Sequence, residues 1–416
     1  MARIALLAAV AVALLLAPSA SAWVGPLTLS GADGRADVAV DADGTAAIAA
    51  GGTLPRLAQR ARGGFFADPV AVAPLAPGPP EDADVAAAGH GALALAWRDG
   101  IGRVMATARD PGGPLRAPRR VSPGGRPGVM GPRAAVAADG AAIVAWLGDL
   151  DHGGRGRVYM AYRAPGGAFG TARRLTATRG PYPPALAMNA AGRAVVAWRR
   201  AGCTEAVAVE RGAPGRPAVL GCPARGGPPV VAVAGDGAAV VAWKGRGVEA
   251  AWRAPRGGFR APRALGPPRR GWAAGRPAVA AGPGGETAVA WREVRGPLAQ
   301  VVAVRGRRGT PRVVRPLGPH RPRTVVAAIR ADGAATVAWD QPRGGARTPE
   351  VLLSSAPRGR RFGAPRHVAL SERSASAVAG VAPALASGGG TTVVTWTIPT
   401  DGLTPPQVRW AARDYS

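Results

Sequence analysis

The 416-residue chain has little of several things: two cysteines, four histidines, five phenylalanines, four tyrosines and a single lysine, Lys244. With no second cysteine pair, a thiolate metal site or a paired redox centre has too few ligands. Its cations are therefore almost all arginine, and they are scattered, with no dense basic block of the kind found in nucleic-acid-binding tails. Nucleic acid is not an expected partner. No apolar run after residue 17 is long enough for a typical membrane-spanning helix. What is abundant is glycine (61), proline (42) and positive charge, 53 Lys+Arg against 25 Asp+Glu for a net +28. Ala, Gly, Pro and Arg share GC-rich codons, so part of this bias is compositional. A hydrophobic share of 47% still suffices for a core and argues against wholesale disorder.

The N-terminus reads as a secretory signal. Arg3 supplies the positive start, Ile4 to Ala17 the apolar region, and Ala20-Ser21-Ala22 the small-residue cleavage pattern. Residues 1–22 are thus expected to be removed, leaving a chain from Trp23 outside the cytoplasmic membrane, in the extracellular space or cell envelope. No cysteine follows the cleavage site, so a lipid anchor there has no support.

From length alone, two or three domains of roughly 150 residues would be expected. Internal repetition overrides that prior. A motif of the form P-A-V-A-x-x-D-G-x-A-x-V-A-W ends at Trp97, Trp146, Trp198, Trp243, Trp291, Trp339 and Trp396, and an eighth copy ends at Ala50. Six residues before each end stands a glycine: Gly44, Gly91, Gly140, Gly192, Gly237, Gly285, Gly333 and Gly390. Successive ends are 45 to 57 residues apart. Apolar and small residues alternate on both sides of the glycine, which predicts a β-hairpin, and Asp-Gly at Asp43, Asp139, Asp236 and Asp332 suits a two-residue primed turn. A third strand follows, such as Arg157 to Arg163. A glycine-rich turn holding all five phenylalanines comes next, then a fourth strand such as Ala172 to Leu175.

Four antiparallel strands in each repeat of this length mark a propeller blade, with strands a to d from the axis outward. Eight copies predict an all-β, eight-bladed propeller over residues 23–416. Pro26 to Ser30 reads as a d strand ahead of the first hairpin, while the last copy stops at its c strand, Gln407 to Arg413. The N-terminal strand should therefore complete the last blade and remove an open edge. This repeat grammar resembles the secreted TolB-type and WD-repeat-like propellers and, more remotely, sialidase-like ones. The resemblance implies a shape and a binding role.

The sialidase Asp box, S-x-D-x-G-x-x-W, does not match: Asp139 directly precedes Gly140, and Trp146 comes seven residues after the Asp. Nor is there a nucleophile elbow, a phosphate loop or an H-E-x-x-H zinc motif. The seven motif tryptophans, all at one phase of the alternation, are expected in the core rather than in a sugar-stacking ring. Cys203 opens strand c and Cys222 closes strand d of one repeat, with their midpoint in the connecting turn, so a disulfide is expected. Asp149, Asp151 and His152 share a loop and form a weak metal-ligand set; no metal or other cofactor is expected.

The loops joining b to c and d to a vary, whereas the other turns are short and repetitive, so function is expected on the variable face. The residues after the tryptophans include Arg98, Arg199, Lys244, Arg292 and Asp340; Glu293 follows Arg292, and Tyr182, Trp272 and Arg276 lie on d–a loops. These nine form the candidate face. The expected function is binding of an anionic glycan or cell-envelope polymer, or of another secreted protein, by a monomer. The alternative is a divergent glycoside hydrolase using Glu293 and Asp340 as its carboxyl pair. The motifs favour binding over catalysis.

Overall fold

A computed structural model describes residues 23–29, 36–50, 55–72, 81–124, 128–180, 182–223, 226–266, 271–306, 312–317, 322–342, 349–370, 383–398 and 407–415. The signal-like segment, His320 and the start of several loops lie outside them. The described residues form eight antiparallel sheets, and one short 3-10 turn is their only helix. No described helix is long and apolar enough to cross a membrane.

The inner a strands run Ala36–Val40, Glu81–Ala88, Val129–Val136, Ala185–Met188, Val230–Val233, Ala278–Ala281, Val325–Ile329 and Ala384–Gly388. Each pairs with the b strand of its motif, which carries the tryptophan in blades 2 to 8 and ends at Ala50 in blade 1, for example Val129–Val136 with Ala142–Gly148, and a c and a d strand follow outward. The expected eight-bladed propeller is what forms. Closure also follows the sequence: Val24–Leu29 pairs antiparallel with Gln407–Asp414, placing Leu27 opposite Trp410, so blade 8 takes its outer strand from the N-terminal end.

The hairpin turns differ from expectation in type. Asp41 N–H bonds Thr45 O at 2.9 Å and Gly44 N–H bonds Asp41 O at 3.2 Å, which encloses three residues, and the same pair of bonds recurs at Ala137–Ala141, Ala234–Ala238 and Arg330–Ala334. These are type I turns closed by a left-handed glycine, not two-residue primed turns. The eight motif glycines have φ from 76° to 90°, whereas the aspartates before them do not enter that region. Aspartate is there for its side chain. The Oδ1 atoms of Asp139, Asp236 and Asp332 accept the amide two residues on, at 2.8–2.9 Å.

Tryptophan holds the blades together. All seven motif tryptophans are at most 2% exposed. Each fills the wedge towards the preceding blade: Trp146 packs with Ala92, Ala94 and Ala96 of blade 2, and Trp97 with Ala47 and Ala49 of blade 1. Blade 1, which has Ala50 at the motif end, is nevertheless a complete four-stranded sheet. Its wedge against blade 8 is filled from the other side by Trp410, with Phe66 edge-on at 4.9 Å between ring centres. Cys203 and Cys222 are bonded, with Thr204 in register with Gly221 just inside them. Such a bond fits an oxidising compartment.

Several arginines are structural rather than solvated. Arg60, Arg109, Arg163, Arg253 and Arg305 all end c strands, and each donates to a carbonyl of a nearby turn. Arg60 and Arg163 are essentially fully buried, and they pair with Asp414 and Asp110 across blade boundaries, at 2.5 and 2.6 Å. The Arg163 hydrogen bond holds the Asp110 carboxyl down at about 2.

Candidate functional site

Where the d–a loops turn inward, the axial channel opens into a cavity of about 770 Å³. The sequence P-A-V-A explains its wall. Proline cannot donate a ladder hydrogen bond, so it sits at the entry to the a strand; Pro184, Pro229, Pro277 and Pro383 take this place in four blades and line the rim. Below them the channel narrows to a second space of about 300 Å³, walled mainly by Ala, Val and Leu of the a strands.

Four arginines border the upper cavity: Arg133 of blade 3, Arg276 and Arg292 of blade 6, and Arg323 of blade 7. Among the described residues only one carboxyl, Asp37 of blade 1, lines it with them. Arg292 Nη1 donates to Pro322 O at 2.8 Å, and Gly275 N–H donates to Arg292 O at 2.8 Å, which anchors the d–a loop to the end of strand b. A Cβ on Gly275 would collide with the Arg292 side chain, so glycine there lets the loop lie flat on it.

One register position of the a strand, just inside the rim, carries the chemistry. It holds Asp37, Asp84 and Arg133 in blades 1 to 3, whereas blades 4 to 8 have Ala185, Val230, Ala278, Val326 and Ala384. Asp84 Oδ1 accepts Arg133 Nη1 at 2.7 Å, and its Oδ2 accepts Ala134 N–H at 2.8 Å. Asp37 Oδ2 lies 3.5 Å from Val85 N, the equivalent amide one blade earlier. Burial and the neighbouring Asp84 push the Asp37 carboxyl up to about 7.

Of the nine sequence-predicted residues, Arg276 and Arg292 line this cavity, and Arg276 is exposed. Tyr182 and Trp272 are half-buried on neighbouring loops, Lys244 is exposed, and Arg98 is half-buried at the end of its strand. Arg199 is 6% exposed and donates Nη2 to Pro223 O at 3.0 Å. Glu293 is buried beneath the surface: its Oε1 accepts Trp291 Nε1 at 2.9 Å and its Oε2 accepts Gln300 Nε2 at 2.6 Å. Glu205 and Glu249 accept the indole N–H of Trp198 and Trp243 in the same way. Asp340 is 1% exposed; burial lifts it to about 6, and Oδ1 accepts Thr324 N–H at 2.6 Å. Asp340 therefore backs the Arg323–Thr324 segment of the rim.

In the 149–152 loop, Asp149 accepts Tyr159 Oη at 2.6 Å and Arg157 Nη1 at 3.1 Å, while Asp151 Oδ1 accepts Gly153 and Arg155 amides. His152 is exposed. Both carboxylates already serve the loop itself.

Asp37, Asp84, Arg133 and Arg323 were missed by sequence reasoning. For Asp37, Asp84 and Arg133 the signal was present, since charged residues occupy a motif position that is apolar elsewhere, but only the ring closure makes blades 1 to 3 and 6 to 7 face one cavity.

No protein family matches the chain, and no curated protein does either. Solved structures similar to it include the polysaccharide lyase Uly1, at TM-score 0.48 and 8% identity over 94% of this chain and 92% of the lyase. Puromycin hydrolase is similar at TM-score 0.47 and 19% identity, covering 91% of this chain, which spans 61% of the hydrolase. AofleA from Arthrobotrys oligospora is similar at TM-score 0.44 and 10% identity, over 85% of this chain and 90% of that one. Likeness at this level carries nothing about ligand or reaction.

Proposed function

We propose that this protein is a secreted binding module that takes an anionic glycan into the mouth of its channel. The observation that carries the reading is the convergence of Arg133, Arg276, Arg292 and Arg323 on one concave site with a single lining carboxyl among the described residues. Guanidinium groups match carboxylate and sulfate bidentately, and the volume suits a short oligosaccharide segment. Because Asp37 holds its proton near neutrality, it adds little opposing charge and can donate to a sugar oxygen. The rim prolines keep the entry rigid, which lowers the ordering cost of binding.

Calorimetry with oligogalacturonate and a sulfated oligosaccharide at low salt tests this. At least one should bind, weaken in high salt, and lose roughly 10- to 100-fold in affinity in the Arg276→Ala/Arg323→Ala double variant. Absence of binding by both, or affinity indifferent to the two substitutions, would refute the proposal.

A further inference from the structure

A second cavity, of about 960 Å³, opens on the opposite face, where the a–b turn of blade 6 meets the c–d turn of blade 7. Sequence reasoning assigned that face to short structural turns. Among the described residues five arginines line the cavity, Arg305, Arg312, Arg358, Arg360 and Arg361, against one carboxylate, Glu286; the Phe362 ring is part of the wall. Three of the arginines fall within four residues of a single turn, and all three are exposed.

The local bonding shows how this charge is held. Arg305 donates Nη1 to Pro357 O at 2.7 Å and Nη2 to Gly333 O at 2.6 Å, which fixes a half-buried guanidinium beneath the turn. Burial lowers its pKa, the expected sign of a cation held away from water. Glu286 Oε1 pairs with Arg358 Nη2 at 3.0 Å, while Glu286 Oε2 is buried with no hydrogen-bond partner among the described residues. Among the described residues one carboxylate therefore answers five cations, and the one it pairs with is Arg358. Like charges gathered in a recess raise the local potential, because low-dielectric walls focus the field there. The equivalent turns carry fewer: blade 3, Ala164 to Phe169, has none and is held by Asp110 and the buried Arg163, and blades 1 and 5 have one each, Arg62 and Arg256.

We infer that this recess is a binding site for the phosphate groups of a polyphosphate-type chain, separate from the channel mouth. Each unit of such a chain offers two or three non-bridging acceptor oxygens and at least one negative charge, and the charges recur along the chain, which suits several guanidinium groups converging from two blades. Arg312, on the outer strand of blade 6, and the Arg358–Arg361 turn of blade 7 line the same recess, so more than one unit of a chain can be contacted there. The site does not depend on the mouth binding a glycan. If both bind, the molecule can join two anionic polymers across its thickness.

Tripolyphosphate titrated into the intact protein at low salt tests the inference, with oligogalacturonate as the comparator. Tripolyphosphate should bind, and Arg360→Ala/Arg361→Ala should weaken it roughly 10- to 100-fold. Arg276→Ala/Arg323→Ala should leave it within about twofold. Both substituted turn positions are exposed, so an unchanged circular dichroism spectrum and melting temperature are expected of the turn variant. Failure of tripolyphosphate to bind, or affinity unchanged in the turn variant, overturns the inference. Oligogalacturonate binding, whatever its outcome, bears only on the mouth, so the two sites succeed or fail separately.

Discussion

At the scale of single residues, the chain reuses few side-chain types for unlike tasks. Arginine ends c strands as a buried clamp on turn carbonyls, lines the channel mouth, and crowds the recess between blades 6 and 7. Aspartate closes turns, clasps neighbouring inner strands and, at Asp37, holds a proton to about pH 7. The last of these has a consequence for stability. Folded Asp37 titrates near 7, while its ordinary value is 3.8, so between these values the folded state holds a proton that the unfolded chain has lost. Stability therefore falls as pH rises from about 4 to about 7, and the full cost stands above that range. Asp37→Asn removes it while keeping a donor towards Asp84. Urea unfolding at pH 8 should show the variant more stable by up to about 4 kcal/mol, with the gain vanishing near pH 3.5. Equal stability at both pH values would show that Asp37 is not a neutral acid in the native fold.

At the scale of elements, the unit is the b strand with its tryptophan seated against the preceding blade. Blade 1 breaks that rule at Ala50, and Trp410 on the c strand of blade 8 occupies the same wedge. Trp410→Ala should thus cost as much as loss of a motif tryptophan, roughly 3–5 kcal/mol in chemical denaturation. A loss below about 1 kcal/mol would mean that Phe66 and its neighbours close the wedge unaided. This substitution was hard to read in the sequence, because Trp410 lies more than 350 residues from Ala50 and on a different strand type. The hairpins themselves were plain from glycine spacing. Their turn type was not, because Asp-Gly suits a two-residue primed turn and a three-residue type I turn alike, and the hydrogen-bond closure alone separates the two.

At the scale of the molecule, one strand pairing, between Val24–Leu29 and Gln407–Asp414, joins the ends of the ring beside the Trp410 wedge and the Arg60–Asp414 pair. Sheet edges left unpaired are sites of intermolecular strand addition. A chain starting at Ser30 should therefore unfold at a lower temperature and self-associate in size-exclusion chromatography with light scattering. A monomer with an unchanged melting temperature would show that closure rests on the inter-blade wedges alone. The disulfide within blade 4 closes a loop of 19 residues and adds about 3 kcal/mol at most by the chain-entropy estimate. It staples one blade and does not hold the ring.

The repeat, and with it the blade count, the buried tryptophans, the cysteine pair and the closing strand, could be read from the sequence because each depends on local periodicity or on register within one hairpin. The binding geometry could not. The rule that placed function on the b–c and d–a loops located two cavity residues, Arg276 and Arg292, yet it also selected Glu293, which is folded inward to satisfy an indole N–H. Whether a strand-end side chain turns to the channel, to solvent or beneath its own blade is set by blade twist and by what the adjacent blade offers it. Asp37, Asp84 and Arg133 are about 50 residues apart in sequence and meet only because equivalent strand positions of successive blades become neighbours around one axis. Ring closure turned a scattered arginine excess into two separate cationic cavities.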